Sequence, residues 1–590
     1  MGRYGVPLRR FRPPLKRPSM EVFRRRLASV DALPQLCVLG VLSGLLTGGL
    51  MVVFRGALEF GALAFMPDGD PEAFERLAVP LRVVLPLIAV ALIGLWLWRM
   101  PTSAGKIGIG HVIERLTYHQ GKMPLRNWIT QWWVGLVALL GGLSAGREGP
   151  AIHLGAAASS WIGQTMRLPH NSLRVLVGCG TAAGIAASFN TPIAGVIFAM
   201  EVVMMEYTIT GFMPVILAST TGAVVSQLVY GSQPAFSVPS VQLASLFDLP
   251  WIAVTAVLIG LVAGGFVRFA RPAVWQKRLP MWGRFLAVGV AVAALAWWYP
   301  QVQGMGYDSL ERILVGQPTL DVLIAVAFGK LALTALAIAF GVPVSIIGPI
   351  LVAGAALGTL CGLLWATLMP ELASSPTVFS LLGMAAMMGA VLQAPLAALM
   401  ALLELTHNSS ILLPGMLAVV IAVLVARQGY HCSGFFISTL DNQGLHPLQR
   451  PLMQALSRVA VPAVMERSVA RAPRVLSRSQ AQELLAGKPT WLVVSREDDK
   501  PPVGLKAAGL ARLMLDEKWQ DESRFDLLEI PGQRVDLAPI SLQATLSEAF
   551  EQLNKYGVDV LYVEHTTAPL IRKISGIITR DAIENYYRNK

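Results

Sequence analysis

Long apolar windows at residues 34–54, 83–98, 211–230, 250–266, 285–299, 322–340 and 411–426 constrain the fold of this chain more than any other feature. Each is near, or slightly below, the roughly 20 residues that a helix needs to cross hydrocarbon. Shorter runs punctuated by Gly and Pro lie at 128–145, 151–165, 172–188, 192–205, 347–366, 378–392 and 395–405, and these read as half-helices. A soluble globule is excluded, because 54% of residues are hydrophobic and only 14% charged. The expected class is an all-α polytopic membrane protein.

The charges that remain are unevenly placed. The first 29 residues hold nine basic side chains (Arg3, Arg9, Arg10, Arg12, Lys16, Arg17, Arg24, Arg25, Arg26) against Glu21. No signal-peptide core follows within reach, so residues 1–30 read as a basic cytoplasmic arm. The net charge of +12 sits largely beside membrane segments, which makes the lipid bilayer the expected partner and excludes nucleic acid from the expectation. Segment 271–284 carries Arg271, Lys277, Arg278 and Arg284, whereas 231–249 carries only Asp248. The basic loop therefore faces the cytoplasm, and both termini are expected there, with the protein in the plasma or inner membrane. Past residue 440 the composition becomes that of a soluble domain, with the charged run Arg496, Glu497, Asp498, Asp499, Lys500. The expected division is an arm (1–30), a membrane domain (31–440), a linker (441–466) and a cytoplasmic domain (467–590). Cys37, Cys179, Cys361 and Cys432 show no metal-ligand spacing, and no metal is expected.

An internal repeat organises the membrane domain. GPAIHLGAAAS from Gly149 is matched by GPILVAGAALG from Gly348, and Gly155 then falls on Gly354. At nearly the same offset, GTAAGIAASFNTPIAG from Gly180 is matched by GMAAMMGAVLQAPLAA from Gly383, placing Pro192 on Pro395 and Glu201 on Glu404. Two matches in one order indicate duplication. In transporters, duplicated halves with interrupted segments at matching positions build a binding site from broken helices. A helix that starts inside the membrane presents free N–H groups and a positive dipole end. Gly149-Pro150 and Gly348-Pro349 are thus read as two helix N-termini facing one buried anion; the competing reading is two kinks in packed helices.

Between two apolar stretches stands Gly146-Arg147-Glu148-Gly149-Pro150. An ionisable side chain at membrane depth costs roughly 2.5–3.5 kcal/mol even on insertion scales, so Glu148 needs a partner or a function. A self-neutralising Arg147–Glu148 pair is the bland alternative. The GxSxG match at Gly142–Gly146, around Ser144, lacks a preceding strand, and GKIGIG at 105–110 lacks βαβ context. No enzyme is expected.

GREGP at 146–150, FNTPIAGVIFAMEV at 189–202 and QAPLAALMALLELT at 393–406, in duplicated order, resemble the CLC family of chloride channels and proton-coupled chloride exchangers. The resemblance covers about residues 31–440. It implies an inverted-repeat fold of tilted and broken helices, a homodimer, and one chloride pathway in each subunit. It makes Glu148 the gating glutamate, a tethered carboxylate that competes with chloride for the outer anion site. Gly146, Arg147 and Gly149 fall on the outer anion segment. Ile346 and Ile347, within Ser345–Pro349, fall on the segment whose N–H groups face the central anion. Lys106–Gly110 falls on a third anion-lining segment, with Gly108 and Ile109 at the site and Ile107 where the family has a serine.

Three departures qualify what the resemblance implies: Ile107 for that serine, Cys432 at the position of the inner tyrosine with Tyr430 two residues away, and Val202 for the inner proton-passing glutamate. Glu201 reads as structural because it has its repeat partner in Glu404. With no titratable group at Val202, chloride channel-like conduction gated by voltage and pH through Glu148 is the favoured function. Alternatives are an H+/Cl− antiporter using another proton route, through Glu206, His153 or water, and a fluoride exporter. The tail resembles a pair of CBS motifs in a small α/β domain, clear in the second copy (Pro539–Asp581) and degenerate in the first (467–515). Such pairs bind adenine nucleotides, with Thr579 and Asp581 as the candidate residues; a ligand-free domain that stabilises the dimer is the alternative. No other cofactor is expected, and chloride is the substrate ion.

Overall fold

The computed structural model describes Leu27 and residues 32–588, apart from 233–237, 240, 242, 272–278, 317, 446–450, 497–500, 517–523, 531 and 569–570. The basic arm (Leu27 excepted), Lys277, Arg278 and the run Glu497–Lys500 therefore lie outside the described residues. The chain divides into two compact units, Leu36–Gln454 and a second that holds Ala455–Lys590. This second unit begins earlier than the composition implied. Leu456, Val459, Ala460 and Val461 are buried, and the backbones of Val459 and Val461 pair with those of Leu546 and Ala544, so the supposed linker contributes to the packed domain.

The first unit is helical. Its first half holds α1 (Leu33–Ala62), α2 (Val79–Arg99), α3 (Gly108–Tyr118), α4 (Leu125–Leu140), α5 (Glu148–Thr165), α6 (His170–Phe189), α7 (Pro192–Phe198) and α8 (Ile209–Tyr230). Then come α9 (Asp248–Phe269), α10 (Met281–Trp298), α11 (Tyr307–Val315), α12 (Leu320–Ala339), α13 (Ile347–Leu368), α14 (Pro376–Leu392), α15 (Pro395–Thr406), α16 (Leu412–Tyr430) and α17 (Phe435–Asp441). Among the described residues, nine helices are long and apolar enough to cross a membrane. Two of them, α6 and α13, span the runs 172–188 and 347–366, for which the sequence predicts half-helices. Their Gly and Ala residues interrupt apolarity without breaking the helix, and they mark places of close crossing instead.

Those crossings reproduce the repeat. α5 packs along α6, and α13 along α14. A Cβ on Gly155 would lie 2.2 Å from the Gly180 carbonyl oxygen, and a Cβ on Gly354 would lie 2.6 Å from that of Gly383. The two sequence registers thus meet each other within each half. Equivalent helices also end alike: α6 stops at Asn190 (φ 60°) and α14 at Gln393 (φ 55°), both left-handed. A proline then starts the next helix in each copy, where its missing N–H is harmless.

The halves are inverted with respect to one another. Glu404, near the C-terminus of α15, accepts hydrogen bonds from the N–H groups of Ile193 and Ala194 at 2.8 and 2.6 Å. Glu201, past the C-terminus of α7, accepts from Leu396 and Ala397 at 3.3 and 2.7 Å. Each glutamate caps the other half's helix, which requires α7 and α15 to run antiparallel.

In the second unit, β1 (Val469–Ala472), β2 (Val475–Ser477), β3 (Trp491–Val494), β4 (Val503–Lys506), β5 (Arg524–Asp526), β6 (Arg534–Ser541), β7 (Val560–Ala568) and β8 (Ile571–Thr579) alternate with short helices. Six of the strands form one sheet in the order β1-β3-β4-β6-β7-β8. β1 pairs parallel with β3 and β3 antiparallel with β4; β6 and β7, then β7 and β8, repeat that pattern. The helices Arg478–Ala486 and Leu546–Tyr556 both open on a capping box, Ser477 with Gln480 and Thr545 with Glu548. The copy that looks degenerate in sequence keeps the fold of its partner.

Candidate functional site

α5 and α13 begin side by side, as the paired Gly-Pro motifs predict. Gly146 N–H donates to the Ser345 carbonyl at 3.1 Å, joining equivalent positions of the two halves. Glu148, in the first turn of α5, is 1% exposed. Its Oε2 accepts from Gly348 N–H, in the first turn of α13, at 3.2 Å, and its Oε1 accepts from the Tyr307 hydroxyl. A Cβ on Gly146 would fall 1.8 Å from Oε2, so only glycine there admits the carboxylate. Arg147 is not hydrogen-bonded to it: the guanidinium donates to the Ser188 carbonyl at 2.7 Å and lies over the rings of Phe189 and Tyr307.

Cavities flank this carboxylate. One, of about 420 Å³, is lined by Arg147, Tyr307, Glu72, Asp70, Asp308 and others. Another, of about 70 Å³, is lined by Ile107, Gly108, Ile109, Gln131, Gly146, Gly149, Ser345, Ile346, Phe435 and Phe436. Tyr307 belongs to the first and Gly146 to the second, so Glu148, which contacts both, stands between them.

Most residues assigned from sequence come together here, with corrections. Gly149 N–H is not left open to an anion; it donates to Ser345 Oγ at 3.0 Å. Gly108 N–H likewise donates to Gln131 Oε1 at 2.7 Å. The polar groups bordering the smaller cavity thus include the Ser345 hydroxyl and the Gln131 amide, which the sequence reading missed. Ile347 is buried in the first turn of α13, while its neighbour Ile346 lines the cavity.

Cys432 does not line that cavity, and Tyr430 packs against Gly264, where a Cβ would meet its ring at 2.2 Å. The chain leaves α16 through left-handed His431 and turns again at Gly434 (φ 99°). The residues that reach the cavity are therefore Phe435 and Phe436, at the start of α17. Phe436→Ala is expected to raise anion flux several-fold and Cys432→Ala to leave it near the wild-type rate, both measured as chloride efflux from liposomes.

Val202 is buried in a π-helical stretch, Ala199–Met204, and Glu201 is committed to the cap of α15. A buried histidine pair lies nearby: His111 Nδ1 and His153 Nε2 are 2.9 Å apart with their rings stacked. His153, on the same helix as Glu148, leaves Nδ1 buried without a partner. Ser144 has its hydroxyl 2.8 Å from that of Thr334. In the tail, Thr579 Oγ1 accepts from Ala582 N–H at 3.2 Å at the start of the last helix, and Asp581 is exposed.

A family model described as "Voltage gated chloride channel" matches residues 87–427. A "Putative chloride channel protein ClcB-like" of Ralstonia nicotianae is 29% identical over 59% of this chain and 82% of its own length. An "H(+)/Cl(-) exchange transporter ClcA" of Vibrio cholerae is 27% identical over 70% of this chain and 91% of its own. The fold resembles that of a slow cyanobacterial Cl−/H+ antiporter (TM-score 0.61, 23% identity, 69% of this chain and 97% of that one). It also resembles a CLC-type fluoride/proton antiporter (TM-score 0.58, 23% identity, 69% and 98%). A eukaryotic CLC transporter matches over 94% of this chain and 99% of its own, at TM-score 0.59 and 19% identity, so that likeness extends into the tail.

Proposed function

Because the chain belongs to the voltage-gated chloride channel family, we propose that it conducts chloride across its membrane through a pathway that Glu148 closes when its carboxylate is seated and opens when it leaves. The observation that carries this reading is the position of Glu148: an anionic side chain at two converging helix N-termini, hydrogen-bonded to the first turn of the opposite half, between two cavities. Donors arranged for an anion are occupied by a tethered one, so chloride and the carboxylate compete for the same place. Ser345 and Gln131 border the smaller cavity, where Ile107 brings no hydroxyl. Conduction is preferred over tight exchange because Val202 holds no proton and Glu201 is engaged as a cap.

A second reading, proton-coupled exchange, draws support from the His111–His153 pair and from the exchangers among the relatives. The experiment that separates the two places purified protein in liposomes under a chloride gradient and records external pH. Conduction predicts chloride efflux with no uphill proton movement. Uphill proton movement would overturn it, and its loss in His153→Gln would assign the route to the histidine pair. Fluoride in place of chloride tests the remaining alternative.

The tail, as a pair of CBS motifs, serves in this proposal to stabilise a homodimer with both termini in the cytoplasm. Thr579 and Asp581 are where an adenine nucleotide would be sought. Thr579 already caps the last helix, which favours the ligand-free role.

A further inference from the structure

Tyr307 is the residue at the gate that no sequence signal singled out. It opens α11 directly after Gly306, which is left-handed at φ 83°. Its N–H and that of Asp308 donate to Glu72 Oε2 at 2.7 and 3.3 Å, which holds the start of the helix. The ring meets Phe189 edge-on at 5.9 Å, and Arg147 lies over its face at 5.3 Å. A fully buried tyrosine is thereby fixed on three sides, with its hydroxyl delivered to Glu148 Oε1.

We propose that the Tyr307 hydroxyl has two roles in the pathway: it latches the seated Glu148 carboxylate, and it becomes a ligand of the transported anion once that carboxylate has left. The proposal rests on the reading of Glu148 as the gate. Its physical basis is that the same donor, with Gly348 N–H on the other oxygen, faces one anion position whichever anion fills it. A buried hydroxyl left without an acceptor is costly, so an anion that replaces the carboxylate regains that hydrogen bond. Tyr307 also lines the larger cavity, which places the ligand on the side from which that cavity feeds the site.

The two roles predict effects of opposite sign. With Glu148 present, Tyr307→Phe weakens the seated state, and chloride efflux from liposomes is expected to rise by about ten-fold or more, as loss of one charge-assisted hydrogen bond gives. In a Glu148→Ala background the same change removes an anion ligand, and chloride affinity by isothermal titration is expected to fall about ten-fold with no gain in efflux. Incorporation of 3,5-difluorotyrosine at 307, a stronger donor, is expected to slow efflux when Glu148 is present and to tighten chloride binding when it is absent. The difluoro variant keeps the ring and the test intact if Tyr307→Phe fails to fold. Slower efflux of Tyr307→Phe in the presence of Glu148, or unchanged chloride affinity in its absence, overturns the proposal, because a merely structural tyrosine moves both readouts the same way or neither. Loss of all flux in folded Glu148→Ala would instead overturn the gate itself, whatever Tyr307 does.

Discussion

Glu148→Ala is expected to leave chloride flux running while abolishing its dependence on pH. The carboxylate is the only part of Glu148 that engages Tyr307 and Gly348, and it contacts Tyr307, which lines the larger cavity, and Gly146, which lines the smaller. Truncation at Cβ removes both the plug and the titrating group, so no side chain remains to close the pathway when ionised and to leave it when protonated. The two donors freed in the process are buried, and an unsatisfied buried donor costs about 1–3 kcal/mol. A chloride ion taking their place recovers that cost. The variant is therefore expected to melt at a temperature that rises with chloride, by the amount mass action allows, roughly 2.7 kcal/mol at a hundred times the dissociation constant. Efflux assays across a pH series and melting at graded chloride concentrations check both halves of the expectation. Lost flux in a folded variant would remove Glu148 from the role of gate, and pH-dependent flux in the variant would place the titrating group elsewhere.

The second large effect concerns the glutamates that look most like spare proton carriers. Glu404→Ala removes the acceptor of two backbone N–H groups at the start of α7, and Glu201→Ala does the same for α15. Each hydrogen bond to a charged acceptor contributes about 1.5–3 kcal/mol, and within a bilayer no water replaces it. Discounting for partial exposure, each variant is expected to lose roughly 2–4 kcal/mol of stability, measured by denaturant unfolding in detergent. Glutamine retains one acceptor oxygen and should recover part of the loss. A folded Glu201→Ala that keeps wild-type flux, with no change in any proton movement, is the expected functional result. Stability within about 0.5 kcal/mol of wild type would show that the caps matter little.

How far the sequence carries depends on the range of the contact. The second register predicts Asn190 opposite Gln393, Pro192 opposite Pro395 and Glu201 opposite Glu404, and each pair behaves alike in the structure, because helix ends and caps are local chemistry. The reading of Glu201 as structural follows from the same pairing. Cys432 aligns with the family's inner tyrosine, but it lies in a loop whose path turns twice, at His431 and Gly434, and an alignment carries no information about where such a turn points. Ser345 stood in plain view within Ser345–Pro349. Its importance comes from Gly149, 196 positions earlier, donating to it.

The sequence by itself determines that this chain lies in a membrane, that its helical domain is duplicated, and that a carboxylate stands where two helices begin. Hydropathy, repeat and Gly-Pro punctuation are properties of short segments, and short segments report them faithfully. Only the tertiary structure decides what holds that carboxylate and what surrounds the cavity beyond it: Tyr307, 159 residues away in sequence from Glu148, together with Ser345, Gln131 and Phe436. Those residues are brought to the site by the packing of two inverted halves, and the helices that carry them would have the same local pattern with other residues in their place.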